Sequence, residues 1–83
     1  MPKVILKGPL VTQLNFKEAI VSGRSLFEIL SKIDGNRNVI LTNNYKIKPG
    51  ILILVNGKDW RISKLDEIRE EDIIEIIPIN HGG

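Results

Sequence analysis

The 83-residue sequence is long enough for one domain and too short for a second hydrophobic core. Hydrophobic residues make up 42% of the chain, which favours a packed fold over disorder. The net charge of only +2 makes direct nucleic-acid binding unexpected, and the absence of cysteine excludes disulfides, thiolate zinc sites and a cysteine nucleophile.

The first elements predicted from the pattern are two strands. Lys3–Lys7 alternates with period two, which predicts a half-buried strand with Val4 on one face and Ile5 on the other. Gly8-Pro9 ends this strand. A second extended stretch is expected over Phe16–Val21, so that the two strands form a hairpin with a loose loop.

A short helix is predicted next. Ser25 and Glu28 stand three residues apart, ahead of apolar residues at helical spacing, which is typical of a capping box. Gly35 can adopt the positive φ that ends a helix. The predicted buried stripe consists of Leu26, Ile29, Leu30 and Ile33.

The second half of the chain predicts further strands. Val39–Leu41 is either a short strand or a packed loop. Ile51–Val55 is apolar on both faces, which indicates an interior strand, and Asn56-Gly57 is a strong signal for a tight turn. A brief strand is expected over Asp59–Ile62 and the last strand over Ile73–Ile77. This order predicts an α+β roll, with one main helix packed on a mixed four- to five-stranded sheet.

Charge is divided unevenly along the chain. Residues 1–64 hold 11 basic and 4 acidic side chains, whereas residues 65–83 hold 1 basic and 6 acidic side chains. Such a division favours docking on a partner in a fixed orientation. The alternative is that the charges belong to solvated loops.

The last four residues, 80–83, have no apolar side chain to anchor them, so a flexible tail is expected after a domain of residues 1–79. Gly82 and Gly83 belong to no predicted turn or cap. Residues without a Cβ would let an enzyme close a narrow tunnel around the backbone and reach the terminal carboxylate. That carboxylate could attack the α-phosphate of ATP, and a sulfur or amine nucleophile could then displace the adenylate. The alternative is a ragged end without function.

Three motifs in the second half of the chain occur together in one known family. They are the stretch Pro49–Trp60, the approach Asp72-Ile73-Ile74 to the last strand, and the closing His81-Gly82-Gly83. Their combination resembles the ubiquitin-related modifier family over residues 49–83, while the first half agrees in the order of its elements. Glu70-Glu71 before Asp72 departs from eukaryotic members and suggests a prokaryotic or archaeal relative.

The resemblance implies a β-grasp (ubiquitin-like) fold and a protein that is not itself an enzyme. Gly83 would be adenylated by an activating enzyme of the ubiquitin-activating type, which consumes ATP, and thiocarboxylated with a sulfur donor. Gly82 and His81 would pass through or contact that enzyme. The sulfur would serve a tRNA thiolation enzyme, or the activated terminus would be joined to lysines of target proteins. No cofactor is expected on the domain itself.

A partner-binding patch follows from the alternation along the strands. Glu75 is charged and mid-strand, so its face of the sheet is expected to be open to solvent. Ile77 and Ile79 share that face by period, and Ile5 shares it on the first strand. We therefore expect Ile5, Ile77 and Ile79 to form an apolar docking patch for the activating enzyme. The alternative is that these are scattered surface isoleucines.

Two other functions stay open. The small sulfur-carrier subunits of molybdopterin synthase and of thiamine synthesis share the fold and the Gly-Gly end, although His81 and Asp59-Trp60 favour the modifier. A plain binding module would leave the glycine pair without a role. Trp60 could be a stacking platform in such a module, but a lone Trp after a turn is more often a cover of the core.

A single histidine cannot form a multi-histidine metal site, so no metal is expected.

The sequence also predicts where the protein is found. No apolar run approaches the roughly 18 residues of a membrane span. The start of the chain lacks the apolar stretch of a signal peptide. We therefore expect a cytoplasmic protein with no membrane partner.

Overall fold

The computed structural model describes residues 1–63 and 67–79, and in these residues five strands form one mixed sheet. The strands are β1 (Lys3–Leu6), β2 (Glu18–Ile20), β3 (Ile51–Val55), β4 (Lys58–Asp59) and β5 (Ile73–Pro78). The helices are α1 (Leu10–Leu14), α2 (Leu26–Asp34) and α3 (Trp60–Ser63). The spatial order is β2-β1-β5-β3-β4, with β1 and β5 parallel and the other neighbours antiparallel. The expected α+β roll is confirmed.

One face of the sheet carries the hydrophobic core. The buried side chains alternate with half-buried or exposed ones along β1 and β5, as the period-two pattern predicts. The fully buried strand residues are Val4, Leu6, Ile53, Ile74 and Ile76, which belong to the same cluster as Ile29 and Leu30 of α2. A shift of one residue in register would turn this whole set to the other face, so the core fixes the pairing.

The caps of α2 follow the sequence prediction closely. The Ser25 Oγ accepts a hydrogen bond from the Glu28 backbone N–H at 3.1 Å. The Glu28 carboxylate reaches back to the N–H of Arg24 at 3.4 Å, one residue before the usual partner in a capping box. At the other end Gly35 has φ 55° and donates its N–H to the Ser31 carbonyl at 3.0 Å. Both ends of the helix are therefore satisfied locally.

The connection between β1 and β2 corrects the expected loose loop. It contains α1, which follows directly after Pro9 and buries Leu10 and Leu14. These two leucines are four residues apart, so one helical turn places both on the core. The predicted strand Phe16–Val21 is correspondingly shorter, because regular pairing covers only Glu18–Ile20.

The return strand expected over Asp59–Ile62 is also shorter than predicted. Asn56 and Gly57 have φ values of 53° and 83°, which confirms the tight turn, and β4 then pairs with β3 through two residues only. The Asp59 Oδ1 accepts a hydrogen bond from the Arg61 N–H at 2.9 Å, and the chain turns into α3 at this point. A local side-chain bond of this kind competes with the strand.

The ambiguous segment Val39–Leu41 is a packed loop held by a buried carboxylate. Asp34 Oδ1 accepts hydrogen bonds from the N–H groups of Val39 at 2.8 Å and Ile40 at 2.7 Å, and Oδ2 accepts one from Asn38 at 2.9 Å. Ile40 is fully buried as a result. Asp34 therefore supplies acceptors that a neighbouring strand would otherwise provide.

Candidate partner-binding surface

One row of side chains crosses the whole sheet on the face opposite α2. The register pairs Ile5 with Glu18 on one side and with Glu75 on the other. Leu54 lies opposite Glu75 and also opposite Asp59. The row thus reads Glu18, Ile5, Glu75, Leu54, Asp59. Each apolar side chain in it stands between two carboxylates.

A second apolar pair extends this row into a patch. Leu52 lies opposite Ile77 in the antiparallel pairing of β3 and β5, on the same face of the sheet. Together with Ile5 and Leu54 these residues form what we term the open-face patch: Ile5, Leu52, Leu54 and Ile77. All four are half-buried, and solvent reaches each of them. Apolar side chains grouped in this way are typical of a protein interaction site.

The three isoleucines expected in the docking patch lie on β1, on β5 and directly after β5. Ile5 and Ile77 lie on the open face, as the alternation predicts. Ile79 lies beyond the end of β5, where its N–H donates to the Gly50 carbonyl at 2.6 Å, and it is 40% exposed. It lines a cavity together with Leu52 of that patch and Trp60.

Leu52 and Leu54 are the members of the patch that the sequence analysis missed. The run Ile51–Val55 is apolar on both faces, which predicts an interior strand, and β3 does lie between β5 and β4. In the structure, the core covers one face, and no helix or loop of residues 1–63 or 67–79 buries Leu52 and Leu54 fully on the other. A strand that is apolar on both faces exposes half of its side chains when only one face of the sheet is covered. The sequence of β3 is therefore the signal for the patch.

Ion pairs lie at both ends of the row that crosses the patch, at Glu18 and at Asp59. Lys3 Nζ lies 3.5 Å from Glu18 Oε1, and the Arg61 guanidinium contacts Asp59 through Nη2 at 2.9 Å and Nε at 3.2 Å. The side-chain hydrogen bond from Arg61, helped by its backbone N–H, lowers the pKa of the Asp59 carboxyl. Glu75, at the centre of the row, has no ion pair within the described ranges.

Trp60 has a structural environment of its own, as predicted for a cover of the core. Its ring meets the ring of Phe27 edge to face, with centroids 5.6 Å apart and an interplanar angle of 86°. It is half-buried and packs against the core cluster. Trp60 and Phe27 together line the cavity that Ile79 borders.

Comparison with known proteins gives the family. The sequence model of the family described as Urm1 (Ubiquitin related modifier) matches residues 10–83. A ubiquitin-related modifier 1 from Kluyveromyces lactis is 33% identical over 76 residues, which covers 86% of this chain and 74% of that protein. The chain belongs to the ubiquitin-related modifier family.

Solved structures agree with that placement. The crystal structure of Sulfolobus solfataricus Urm1 is similar, with a TM-score of 0.90 and 54% identity, and covers 94% of this chain and 100% of that one. The crystal structure of the Amycolatopsis orientalis BexX/CysO complex has a TM-score of 0.81, 24% identity and full coverage of both chains. The second likeness shows the fold alone. The protein thus has the ubiquitin-like β-grasp fold, and as a family member it is a modifier and carrier, not an enzyme.

The motif that ends the ubiquitin-related modifier pattern lies outside the described residues. His81, Gly82 and Gly83 all fall there, in the segment expected to form the tail. The described chain leads up to this segment through Ile79, beside Gly50 at the start of β3. The described chain therefore ends at Ile79, in the cavity that Leu52 and Trp60 also line.

The described ranges contain no group of His, Asp and Glu side chains that could hold a metal ion. Over the same ranges, none of the helices is long and apolar enough to cross a membrane.

Proposed function

We propose that this protein is a sulfur carrier and protein modifier whose reactive group is the α-carboxylate of Gly83. One observation carries the proposal: Gly82 and Gly83 close a chain that belongs to the ubiquitin-related modifier family. Family membership supplies the modifier role. The activation chemistry, the sulfur route and the conjugation targets are what the proposal adds.

Activation overcomes the poor electrophilicity of a carboxylate. The Gly83 carboxylate attacks the α-phosphorus of ATP, the bond to the β-phosphate breaks, and pyrophosphate leaves. The acyl adenylate formed in this way has a good leaving group in place of an oxide. Hydrosulfide from the sulfur donor then attacks the carbonyl carbon, AMP leaves, and loss of the remaining proton produces the thiocarboxylate. Attack by a lysine amine in place of sulfur gives an isopeptide bond.

Glycine at the last two positions suits passage through a partner enzyme. A Cβ at Gly83 would occupy the space where a tunnel wall has to approach the backbone. Gly82 needs the same freedom one residue earlier, and the enzyme would recognise His81 before the two glycines enter. The ordering of each tail residue costs about 1–2 kcal/mol, so tail binding alone is weak.

The open-face patch offsets that cost by docking the folded domain on the activating enzyme. Ile5, Leu52, Leu54 and Ile77 offer apolar area to be buried. The carboxylate of Glu75, which forms no ion pair with residues 1–63 or 67–79, favours a basic side chain on the partner. The Amycolatopsis CysO structure, solved as a complex with BexX, supports a function through partner proteins. The further partners proposed here are a sulfur donor, a tRNA thiolation enzyme and target-protein lysines, in the cytoplasm.

ATP–pyrophosphate exchange with a cognate activating enzyme tests both parts of this proposal. Deletion of Gly83 should abolish exchange and Gly83→Val should nearly abolish it. Ile77→Asp should raise the KM for the carrier about tenfold or more and leave kcat close to its normal value. Ile62→Asp is the matched control, because Ile62 is exposed on α3, outside the patch. Exchange at the normal rate by a variant without Gly82 and Gly83 would contradict the proposal.

A further inference from the structure

A cavity at the β3–β4 edge of the sheet has no role in the proposed activation of Gly83. It has a volume of about 410 Å³ and lies between the segment 45–50 and the turn into α3. Its apolar walls include Phe27, Ile47, Ile51, Leu52, Trp60 and Ile79. We term it the edge cleft. Both Phe27 of α2 and Leu52 of the open-face patch line it, so the edge cleft adjoins that patch.

The edge cleft follows a strand that lacks a partner over part of its length. β4 pairs only with Leu54 and Val55, so the first half of β3, from Ile51 to Ile53, has no neighbouring strand on that side within residues 1–63 and 67–79. The Ile51 N–H bonds locally to the Lys48 carbonyl at 3.2 Å. Such an edge can accept an extended chain as an additional strand.

The charge of the edge cleft is positive. Lys46 and Lys48 line it, and neither side chain has an ion pair or hydrogen bond within the described ranges. The carboxylate among the lining residues is Asp59, which Arg61 already pairs at 2.9 Å. A ligand that places carboxylates at the two lysines therefore finds complementary charge and little repulsion.

Aromatic side chains at the edge cleft favour a peptide over a nucleobase. The Trp60 ring is half-buried and already engaged edge to face with Phe27, which limits its use as a stacking platform. Tyr45 is 65% exposed at the rim, with a φ of 58° that is uncommon for a bulky residue. Backbone in such a conformation often marks a functional site.

We propose that the edge cleft binds an extended segment of a partner protein that carries apolar, β-branched side chains flanked by aspartate and glutamate. The segment adds to β3 beside Ile51–Ile53, its apolar side chains contact Trp60 and Ile47, and its carboxylates meet Lys46 and Lys48. Because Leu52 belongs to both surfaces, the segment and an activating enzyme docked on the open-face patch compete for this side of the sheet. The inference does not depend on activation of Gly83.

The probe is a random peptide library displayed on phage and selected against the full chain, followed by titration with the selected peptides. Trp60 is the only tryptophan, so its fluorescence reports directly on the edge cleft. We expect selected sequences with an apolar run flanked by acids. Their Kd should rise about tenfold or more in a Lys46→Glu, Lys48→Glu variant and less than about twofold in a Lys7→Glu, Lys17→Glu variant of equal net charge.

Several results would overturn the inference. One is a failure to enrich acidic, apolar peptides. A second is an equal loss of peptide affinity in both charge-reversed variants. A third is stronger quenching of Trp60 fluorescence by single-stranded RNA than by the peptides. A chain without residues 80–83 that binds the peptides about tenfold more tightly would identify the tail as the occupant instead. Dissociation of a dimer by the peptides, seen in sedimentation, would identify a second copy. Circular dichroism establishes that both variants are folded.

Discussion

Asn56 and Asp72 connect the β3–β4 turn to the start of β5 through their side chains. The Asn56 Nδ2 donates to Asp72 Oδ1 at 2.9 Å, and the Ile73 N–H donates to Asn56 Oδ1 at 2.9 Å. The second oxygen of Asp72 accepts from the Arg69 N–H at 2.7 Å, and the residue is only 5% exposed. This link sets where β5 begins, and therefore which of its side chains reach the open-face patch.

Removal of the Asp72 carboxylate should strongly destabilise the fold. Asp72→Ala removes the buried carboxylate that accepts from the Asn56 side-chain amide and from the Arg69 N–H, and hydrogen bonds to a charged group contribute about 1.5–3 kcal/mol each. We expect the free energy of unfolding, measured by urea denaturation, to fall by about 2–4 kcal/mol. Glu71→Ala, at an exposed neighbour, should change it by less than about 0.5 kcal/mol. Equal stability of the two variants would show that the link is not structural.

The N-terminal cap of α2 contributes less to the free energy of unfolding than the Asp72 carboxylate does. Ser25→Ala removes the acceptor for the Glu28 N–H and should lower the free energy of unfolding by about 1 kcal/mol. Ser31→Ala lies inside the same helix, where alanine is a good helix former, and should not destabilise the protein. An unchanged urea midpoint for Ser25→Ala would mean that the hydrogen bond seen at the cap adds nothing.

The two faces of β5 should respond differently to the same substitution. Ile76→Asp places an unpaired carboxylate in the core and should cost about 4 kcal/mol or more, enough to unfold a small domain. Ile77→Asp lies on the open-face patch and should cost about 1 kcal/mol or less. Thermal unfolding of the two variants measures the difference directly. A similar loss in both would mean that the face assignment of β5 is wrong.

The pair Asp59–Arg61 should be visible in a pH titration. Arg61 lowers the pKa of Asp59 below its ordinary value of 3.8, so the pair contributes most above that value and is lost as the pH falls through the folded pKa. NMR of the Asp59 carboxyl should record the depressed pKa. In an Arg61→Ala variant the pKa should rise towards 3.8. An Asp59 pKa that is the same in both proteins would contradict the role of Arg61.

Elements set by local periodicity could be predicted from the sequence. Ser25, Glu28 and Gly35 define α2 with their own caps, and the alternation around Glu75 separates the two faces of β5 correctly. Helix α1 was missed because five residues give only one apolar turn. Short segments of this kind depend on the core that they cover more than on their own pattern.

The surfaces were harder to predict than the elements. Ile5 and Ile77 were found because β1 and β5 are neighbours in the expected fold, whereas Leu54 required the register of β3 on β5. The edge cleft joins Phe27 to Trp60, which are far apart in sequence, and no local pattern connects them. Such residues come into contact only when the chain has folded.

The central claim concerns the carboxylate of Gly83, and intact-mass spectrometry tests it most directly. The protein is incubated with ATP, a cognate activating enzyme and a sulfur donor, and the same is done with a variant that lacks Gly83. Replacement of oxygen by sulfur should add roughly 16 mass units to the full chain and nothing to the truncated one. An unchanged mass of the full chain after the enzyme has released pyrophosphate, or an equal gain in the truncated chain, would contradict the carrier function.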